Sequence, residues 1–252
     1  MTQNVMKQTD VPGVDQSPSG PVSDAFDVQQ TLLHSRHVRV VFDVGGHRGS
    51  TVAKYRRRFP EALIYGFEPY PESFAALVER FCGDSQVRPV EQAVADTVGR
   101  REFFVNGFSP TNSLFPRPQT ARRYYPRDAD TRSTIEVPVT TVDTFCRVEG
   151  IAAIDVLKMD IQGGELLALK GAAGLLRDRA ISLIYTEVLF VPHYEDGARF
   201  HELCGYLATY GYSLYDVFSP VHADNGQLRY ADALFVSEEL RHDVIDQYPE
   251  ER

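Results

Sequence analysis

The chain has no tryptophan and only three cysteines and three methionines. It also lacks any apolar run approaching the roughly 20 residues that span a bilayer, so nothing in it reads as a membrane helix. Cys82, Cys146 and Cys204 are odd in number, far apart and never in a C-x-x-C arrangement. That excludes a disulfide framework and argues against structural zinc; buried small hydrophobes in a reducing compartment are the expectation. Met1 to Asp24 has no apolar core of a signal peptide, which together with the cysteines points to a cytoplasmic protein. Positive charge is scarce too. Twenty-six Lys and Arg face 35 Asp and Glu, for a formal net charge of −9, which argues against nucleic acid as a partner. With 43% hydrophobic and 24% charged residues, what remains is an ordinary soluble globular chain.

Residues 1–22 are rich in Pro, Gly and Ser and poor in large apolar side chains, the composition of a disordered arm. Ser23 or Asp24 can cap a helix within 23–37 carrying Phe26, Val28, Leu32 and Leu33. From Val38 strands and helices alternate. Strands are expected at 38–44, 62–67, 87–94, 154–159 and 181–186. Helices are expected at 50–59, 71–82, 165–177 and 200–210. Residues 101–106 alternate like an extra strand, and 135–145 return to strand-like sequence. Tyr212–Phe218 and Tyr230–Val236, with Asn225-Gly226 between them, read as an antiparallel hairpin. The fold class is therefore α/β: a doubly wound, Rossmann-like sheet, mostly parallel, with a C-terminal antiparallel hairpin, spanning 38–240 and leaving 241–252 as a tail. Residues 108–134 are a long polar stretch containing Pro110, Pro116, Pro118 and Pro126, the pattern of a lid-like insert. Arg117, Arg122, Arg123, Arg127 and Arg132, with Tyr124 and Tyr125, would let such a lid meet an anionic or carrier-bound substrate. A solvated loop has the same composition.

The most informative stretch joins the first strand to the next helix: Asp43-x-Gly45-Gly46-His47-x-Gly49. About twenty residues later the second strand ends in Gly66-Phe67-Glu68-Pro69. Strand, glycine turn, helix, strand and acidic tip form a nucleotide-cofactor layout, but the glycine spacing is not the G-x-G-x-x-G that meets a pyrophosphate. S-adenosylmethionine (SAM) has no phosphate. A turn of small residues lets the backbone approach its amino-acid end, Asp43 can attract the ammonium, and Glu68 can accept both ribose hydroxyls.

A second segment, Asp155-Val156-Leu157-Lys158-Met159-Asp160-Ile161-Gln162-Gly163-Gly164-Glu165, ends a central strand beside the ligand crevice of an open α/β sheet. Taken with Asp43–Gly49, Gly66–Pro69, Thr111–Leu114, Val139–Asp143, Leu167–Gly171 and Asp232–Val236, it resembles the FkbM-type family of SAM-dependent methyltransferases over about residues 38–237. The chain departs from the family pattern at Gly46-His47, where Ala-Asn is common, and at Gln162, where Glu is common. The resemblance implies SAM as cofactor, bound by Asp43, Gly45, Gly46, His47, Gly49, Thr51, Glu68, Pro69, Gln92, Ala93 and Asp160. It implies methylation of a hydroxyl on a sugar or secondary metabolite. Asn112, Ser113, Glu165 and Tyr194 are the expected substrate contacts.

An alcohol needs a base or a metal to become a nucleophile. Asp160 and Glu187 close strands, and His193, in the following loop, should overhang the same crevice; these three are the candidate catalytic residues. They could also form a Mg²⁺ or Mn²⁺ site, although no spacing demands a metal. N-methylation, carboxyl methylation, nicotinamide-dependent oxidation and a silent binding module remain alternatives.

Overall fold

A computed structural model describes residues 24–118, 124 and 130–247. The first half runs α1 (Ala25–Leu32), β1 (Val40–Val44), α2 (Ser50–Arg58), β2 (Leu63–Phe67), α3 (Pro71–Arg80) and β3 (Val87–Val90). The middle contributes β4 (Ala93–Val94), β5 (Gly99–Asn106), a 3-10 turn at Ser109–Thr111 and β6 (Thr131–Thr140). The second half runs α4 (Val142–Glu149), β7 (Ile154–Met159), α5 (Glu165–Lys170), α6 (Ala173–Arg177) and β8 (Ile181–Leu189), then α7 (Phe200–Ala208), β9 (Tyr212–His222), β10 (Leu228–Ser237) and α8 (Glu238–Val244).

Seven strands form one sheet in the order β3-β2-β1-β7-β8-β10-β9. The pairs β1–β2, β2–β3, β1–β7 and β7–β8 are parallel, while β10 runs antiparallel to both β8 and β9. Neighbouring residues of the central strands point to opposite faces, and both faces are covered. Phe42 and Leu157 enter a core with Leu169 and Leu207, whereas Val41 and Val156 enter one with Tyr55 and Leu183. Apolar residues therefore run almost unbroken through β1 and β7. The chain reverses its strand order between β1 and β7, which opens a crevice outside their carboxyl ends.

Several boundaries differ from the sequence reading for physical reasons. The strand expected at 87–94 splits, because Ala93 and Val94 leave β2 and pair in parallel with Val139 and Thr140 in a second sheet, β4-β6-β5. Residues 131–134, assigned to the polar insert, are strand: they pair with the end of β5 in a ribbon whose outer residues stay in water. The helix expected over 165–177 breaks at Gly171, where the backbone passes so close to Ala95 that a Cβ would lie 2.0 Å from its carbonyl oxygen. β8 continues past Glu187 to Leu189 because the reversed β10 supplies a partner, with Glu187 opposite Asp232. Residues 241–244, placed in the tail, complete α8; Ser237 caps it through Leu240 N–H, and Leu240 is fully buried. Asp24 caps α1 by accepting from Phe26 N–H. The arm at 1–22, residues 119–123 and 125–129 of the insert, and 248–252 lie outside the described residues. No helix among the described residues is long and apolar enough to cross a membrane.

Candidate functional site

The glycine turn is tied to its neighbours by backbone hydrogen bonds. Gly45 and Gly46 N–H both donate to Phe67 O, at 3.0 and 2.8 Å, and Asp160 N–H donates to Val44 O at 3.0 Å. The ends of β1, β2 and β7 are thus fastened together. Gly45 lies at φ +83°, and a Cβ there would sit 2.0 Å from the Asp160 carbonyl oxygen, so both conformation and space require glycine. His47 at φ +46° and Gln162 at φ +59° occupy the same left-handed region with full side chains, a strain of about 1–3 kcal/mol each of the kind that gathers at functional sites.

A cleft opens over these strand ends. Of the residues expected to bind cofactor or substrate, it gathers Gly45, Gly46, His47, Thr51, Glu68, Pro69, Gln92, Ala93, Asn112 and Asp160. Phe67, Val94, Phe103 and Leu114 supply an apolar wall suited to a nucleobase. Glu68 Oε2 accepts from His47 N–H at 2.8 Å and Oε1 from Tyr70 N–H at 2.9 Å, which orients the carboxylate and leaves lone pairs for hydroxyl donors. Burial pushes its pKa up to about 7. Asn112 Oδ1 accepts from Asn106 N–H at 2.8 Å, while its buried Nδ2 has no hydrogen-bond partner among the described residues. An oriented carboxylate, an unspent amide donor and an apolar wall fit an adenosyl group. His47 Nε2 lies 3.0 Å from Ser109 Oγ, joining the turn to the root of the 108–134 segment.

Two expected cofactor contacts are not in the cleft. Gly49 caps α2, where a Cβ would meet Phe81 and Leu77 at 2.5 and 2.8 Å; it permits helix packing instead. Asp43 is fully buried beneath the turn, and its Oδ1 lies 2.8 Å from Lys158 Nζ. The two residues are register partners on β1 and β7. Lys158 also donates to Gly45 O at 3.3 Å. Burial pulls the Lys158 ammonium down, but the Asp43 and Asp160 carboxylates outweigh it and hold the pKa above its ordinary value. The acid expected to meet an ammonium therefore meets a protein lysine, and Lys158 is the residue that reaches the cleft. Sequence reasoning did not single out Lys158. The available signal was a lone cation inside the apolar strand Ile154–Met159, which demands a buried counter-charge.

The β7–α5 turn organises the acids. Gln162 Nε2 donates to Asp160 Oδ1 and Glu187 Oε2, both at 2.9 Å, and Gln162 Oε1 accepts from Tyr194 Oη at 2.6 Å. One amide thus separates two carboxylates. Asp160 is exposed at the cleft. Glu187 is not among the cleft's walls; burial, then the Asp160 and Glu165 carboxylates, raise its pKa well above the ordinary range, which suits a proton holder rather than a base. Glu165 is buried and accepts from Ile161 and Gly163 N–H at 2.9 and 3.0 Å, stapling the turn rather than facing a ligand. Ser113 is fully buried and donates to Gln162 O at 2.8 Å, and Tyr194 is buried with its hydroxyl on the same glutamine. Neither lines the cleft.

His193 does not overhang this crevice. It is buried beside the Tyr124 and Tyr230 rings, at 5.9 and 5.8 Å between centroids. Burial and then the guanidinium groups of Arg229 and Arg117 push its pKa down to about 3, so it is too weak a base for a hydroxyl at neutral pH. Arg117 packs on the Tyr194 ring rather than toward a ligand, and Arg122, Arg123, Tyr125 and Arg127 lie outside the described residues. Among the described residues, no group of three His, Cys, Asp or Glu side chains is arranged to hold a metal ion.

An open, doubly wound sheet with an acid-tipped cleft at its strand-order reversal defines a cofactor-binding α/β protein. The methyltransferase FkbM domain matches residues 43–214, well over half of the chain, and the chain belongs to that family. It is 28% identical over 155 residues to the 2-O-methyltransferase NoeI of Sinorhizobium fredii, covering 59% of this chain and 62% of that protein. It is 30% identical over 165 residues to the 31-O-demethyl-FK506 methyltransferase FkbM of Streptomyces tacrolimicus, covering 56% of this chain and 63% of that protein. Both matches therefore span less than two thirds of the relative's length. Among solved structures, precorrin-6y C5,15-methyltransferase from Geobacter metallireducens is similar at 12% identity and a TM-score of 0.46, over 84% of this chain and 87% of that one.

Proposed function

We propose that the protein transfers the methyl group of SAM to a hydroxyl oxygen of a sugar or a secondary-metabolite core. The observation that carries this reading is the convergence, in one cleft, of the glycine turn, the oriented Glu68 carboxylate, Lys158 and Asp160. Both curated relatives are named for O-methyl positions, which supports oxygen as the acceptor atom. The absence of a phosphate-reading glycine spacing weighs against a nicotinamide cofactor.

When bound, SAM supplies an electrophilic methyl on a sulfonium. Glu68 would hold the ribose hydroxyls with its remaining lone pairs. Lys158, already donating to Gly45 O and paired with Asp43, retains a donor for the cofactor's carboxylate, and Asp160 can meet its ammonium or the acceptor. The acceptor's O–H must lose its proton as its oxygen bonds to the methyl carbon and the carbon–sulfur bond breaks. Asp160 is the exposed carboxylate in this cleft, steadied by Gln162, and takes that proton. Much of the remaining acceleration comes from alignment. This reading takes a small or carrier-bound acceptor, leaves nucleic acid and membranes out, and places the protein in the cytoplasm, in keeping with its three free cysteines.

The test uses methyl-labelled SAM with candidate hydroxylated acceptors and locates the label by mass spectrometry. Label on oxygen supports the proposal, and Asp160→Asn should lower turnover by roughly a hundredfold or more while SAM affinity changes less. Label on nitrogen or a carboxyl group would replace the acceptor assignment. SAM binding with no transfer to any acceptor would point to a silent binding module.

A further inference from the structure

A second cleft adjoins the first. It lies between α1, α2 and strands β8 to β10, and it shares Thr51, Lys158 and Asp160 with the cofactor cleft. Ligands in the two clefts would therefore meet at Asp160, where the proposed proton transfer occurs.

Its walls combine aromatic rings with acceptor oxygens. The Tyr185 ring stands edge-on to Phe26 and Phe218, with centroids 5.6 and 6.4 Å apart. Tyr185 Oη donates to Asp232 Oδ2 at 3.0 Å, which orients that carboxylate. Ser219, on the same wall, lies at φ +50°, a third side-chain-bearing residue strained into the left-handed region beside these clefts. The charges can be counted. Asp24 is bonded to Phe26 N–H and lies 3.3 Å from Arg58, and Lys158 is paired with Asp43, so these charges are already matched. Asp160 and Asp232 then face Lys54, whose Nζ sits 4.5 Å from the Phe26 ring centre. The balance is negative, and a desolvated anion entering here would be repelled.

We propose that this second cleft is the acceptor subsite and that it selects a neutral, hydroxyl-rich ring such as a glycosyl group, with the Tyr185–Asp232 pair as the element that determines specificity. The largely buried rings offer such a ring an apolar floor through their exposed edges, and carboxylates accept from its hydroxyls. Burial, followed by the Asp160 carboxylate, pushes Asp232 up to about 6, so it is mostly ionised at neutral pH. An insert bearing arginines suggested an anionic acceptor; the charges of this cleft favour the opposite class. The inference rests on the proposed methyl transfer.

The test loads the full chain with S-adenosylhomocysteine and titrates neutral methyl glycosides against the matching glycoside phosphates and uronic acids by ligand-observed NMR. Neutral glycosides should bind, the anionic series should bind more weakly, and Asp232→Asn and Tyr185→Phe should each weaken glycoside binding by roughly ten- to a hundredfold. S-adenosylhomocysteine affinity should stay within about twofold in both variants, which also reports that they are folded. Preference for the anionic series, or glycoside binding unchanged in both variants, would overturn the subsite. So would absence of glycoside binding to a protein that binds S-adenosylhomocysteine. Failure to bind S-adenosylhomocysteine would instead overturn the methyl-transfer reading beneath it.

Discussion

Glu68 carries a pH signature that can be read in binding. Its pKa is pushed by burial to about 7, and under the proposed function it would hold ribose hydroxyls as a carboxylate rather than as an acid. Raising the pH through 7 ionises it and adds acceptor capacity, so SAM affinity should rise between pH 6 and 8. Glu68→Gln, which does not titrate, should flatten that rise; an unchanged pH profile in this variant would remove Glu68 from the linkage. The Asp43–Lys158 pair makes a different prediction. Lys158→Met leaves a buried carboxylate uncompensated and should cost about 3–5 kcal/mol of unfolding free energy, whereas adding Asp43→Leu should recover much of it. Denaturant titrations of the two variants decide this, and equal losses would mean the pair is not coupled. At this scale the sequence revealed positions better than partners. Glu68 sits where its place after the second strand put it. Asp43 meets the ammonium of Lys158 instead of lining the cleft, because its partner is set by strand register with a residue far along the chain.

At the scale of elements, the β7–α5 turn is the joint between the candidate cofactor cleft and the second half. Gln162 stands where the family resemblance led one to expect Glu, and its amide N–H group is what lets Asp160 and Glu187 share one neighbour. Gln162→Glu would place a third carboxyl group among them. Its folded pKa would be raised above the unfolded value, so the variant's stability is kept at low pH and lost as pH rises through that raised value. The destabilisation should be about 1–3 kcal/mol at pH 8 and smaller at pH 5, measured by denaturant unfolding. A loss independent of pH would indicate a packing defect. Alternating strand and helix patterns made the main sheet legible, including the C-terminal antiparallel pair. They did not reveal that Ala93–Val94 belongs to another sheet, or that the helix after β7 breaks at Gly171, since both follow from contacts with distant backbone. His193 was misplaced for a similar reason. A histidine in a loop after a strand end resembles a base, and only tertiary packing shows it buried between two tyrosines.

Across the whole molecule, raised buried acids and the depressed His193 pull the pH dependence of the free protein in opposite directions, with the acids the more numerous. Glu68 and Glu165 are pushed to about 7 and Asp232 to about 6, mainly by burial. All three bind protons more tightly folded than unfolded, where ordinary values of 4.5 and 3.8 apply. Their contribution to stability is therefore present below about pH 4 and lost as pH rises through 6 to 7. Denaturant unfolding without cofactor should give a lower free energy at pH 8 than at pH 5.5, with Glu165→Gln reducing the slope. A rising profile would show that other groups dominate. The fold class and most of the residues of the candidate cleft were legible because motif residues lie beside predictable strand ends. The second cleft was not, because α1, α2, β8, β9 and β10 each contribute only one to three residues. Under the proposed function, Gly45–His47, Glu68 and Asp160 frame a SAM site. Calorimetric titration of SAM into the wild-type chain and Glu68→Ala tests it most directly. Saturable SAM binding is expected, weakened by roughly tenfold or more in Glu68→Ala, with no binding of a nicotinamide dinucleotide. Equal SAM affinity in both proteins, or binding of the dinucleotide instead of SAM, would contradict it.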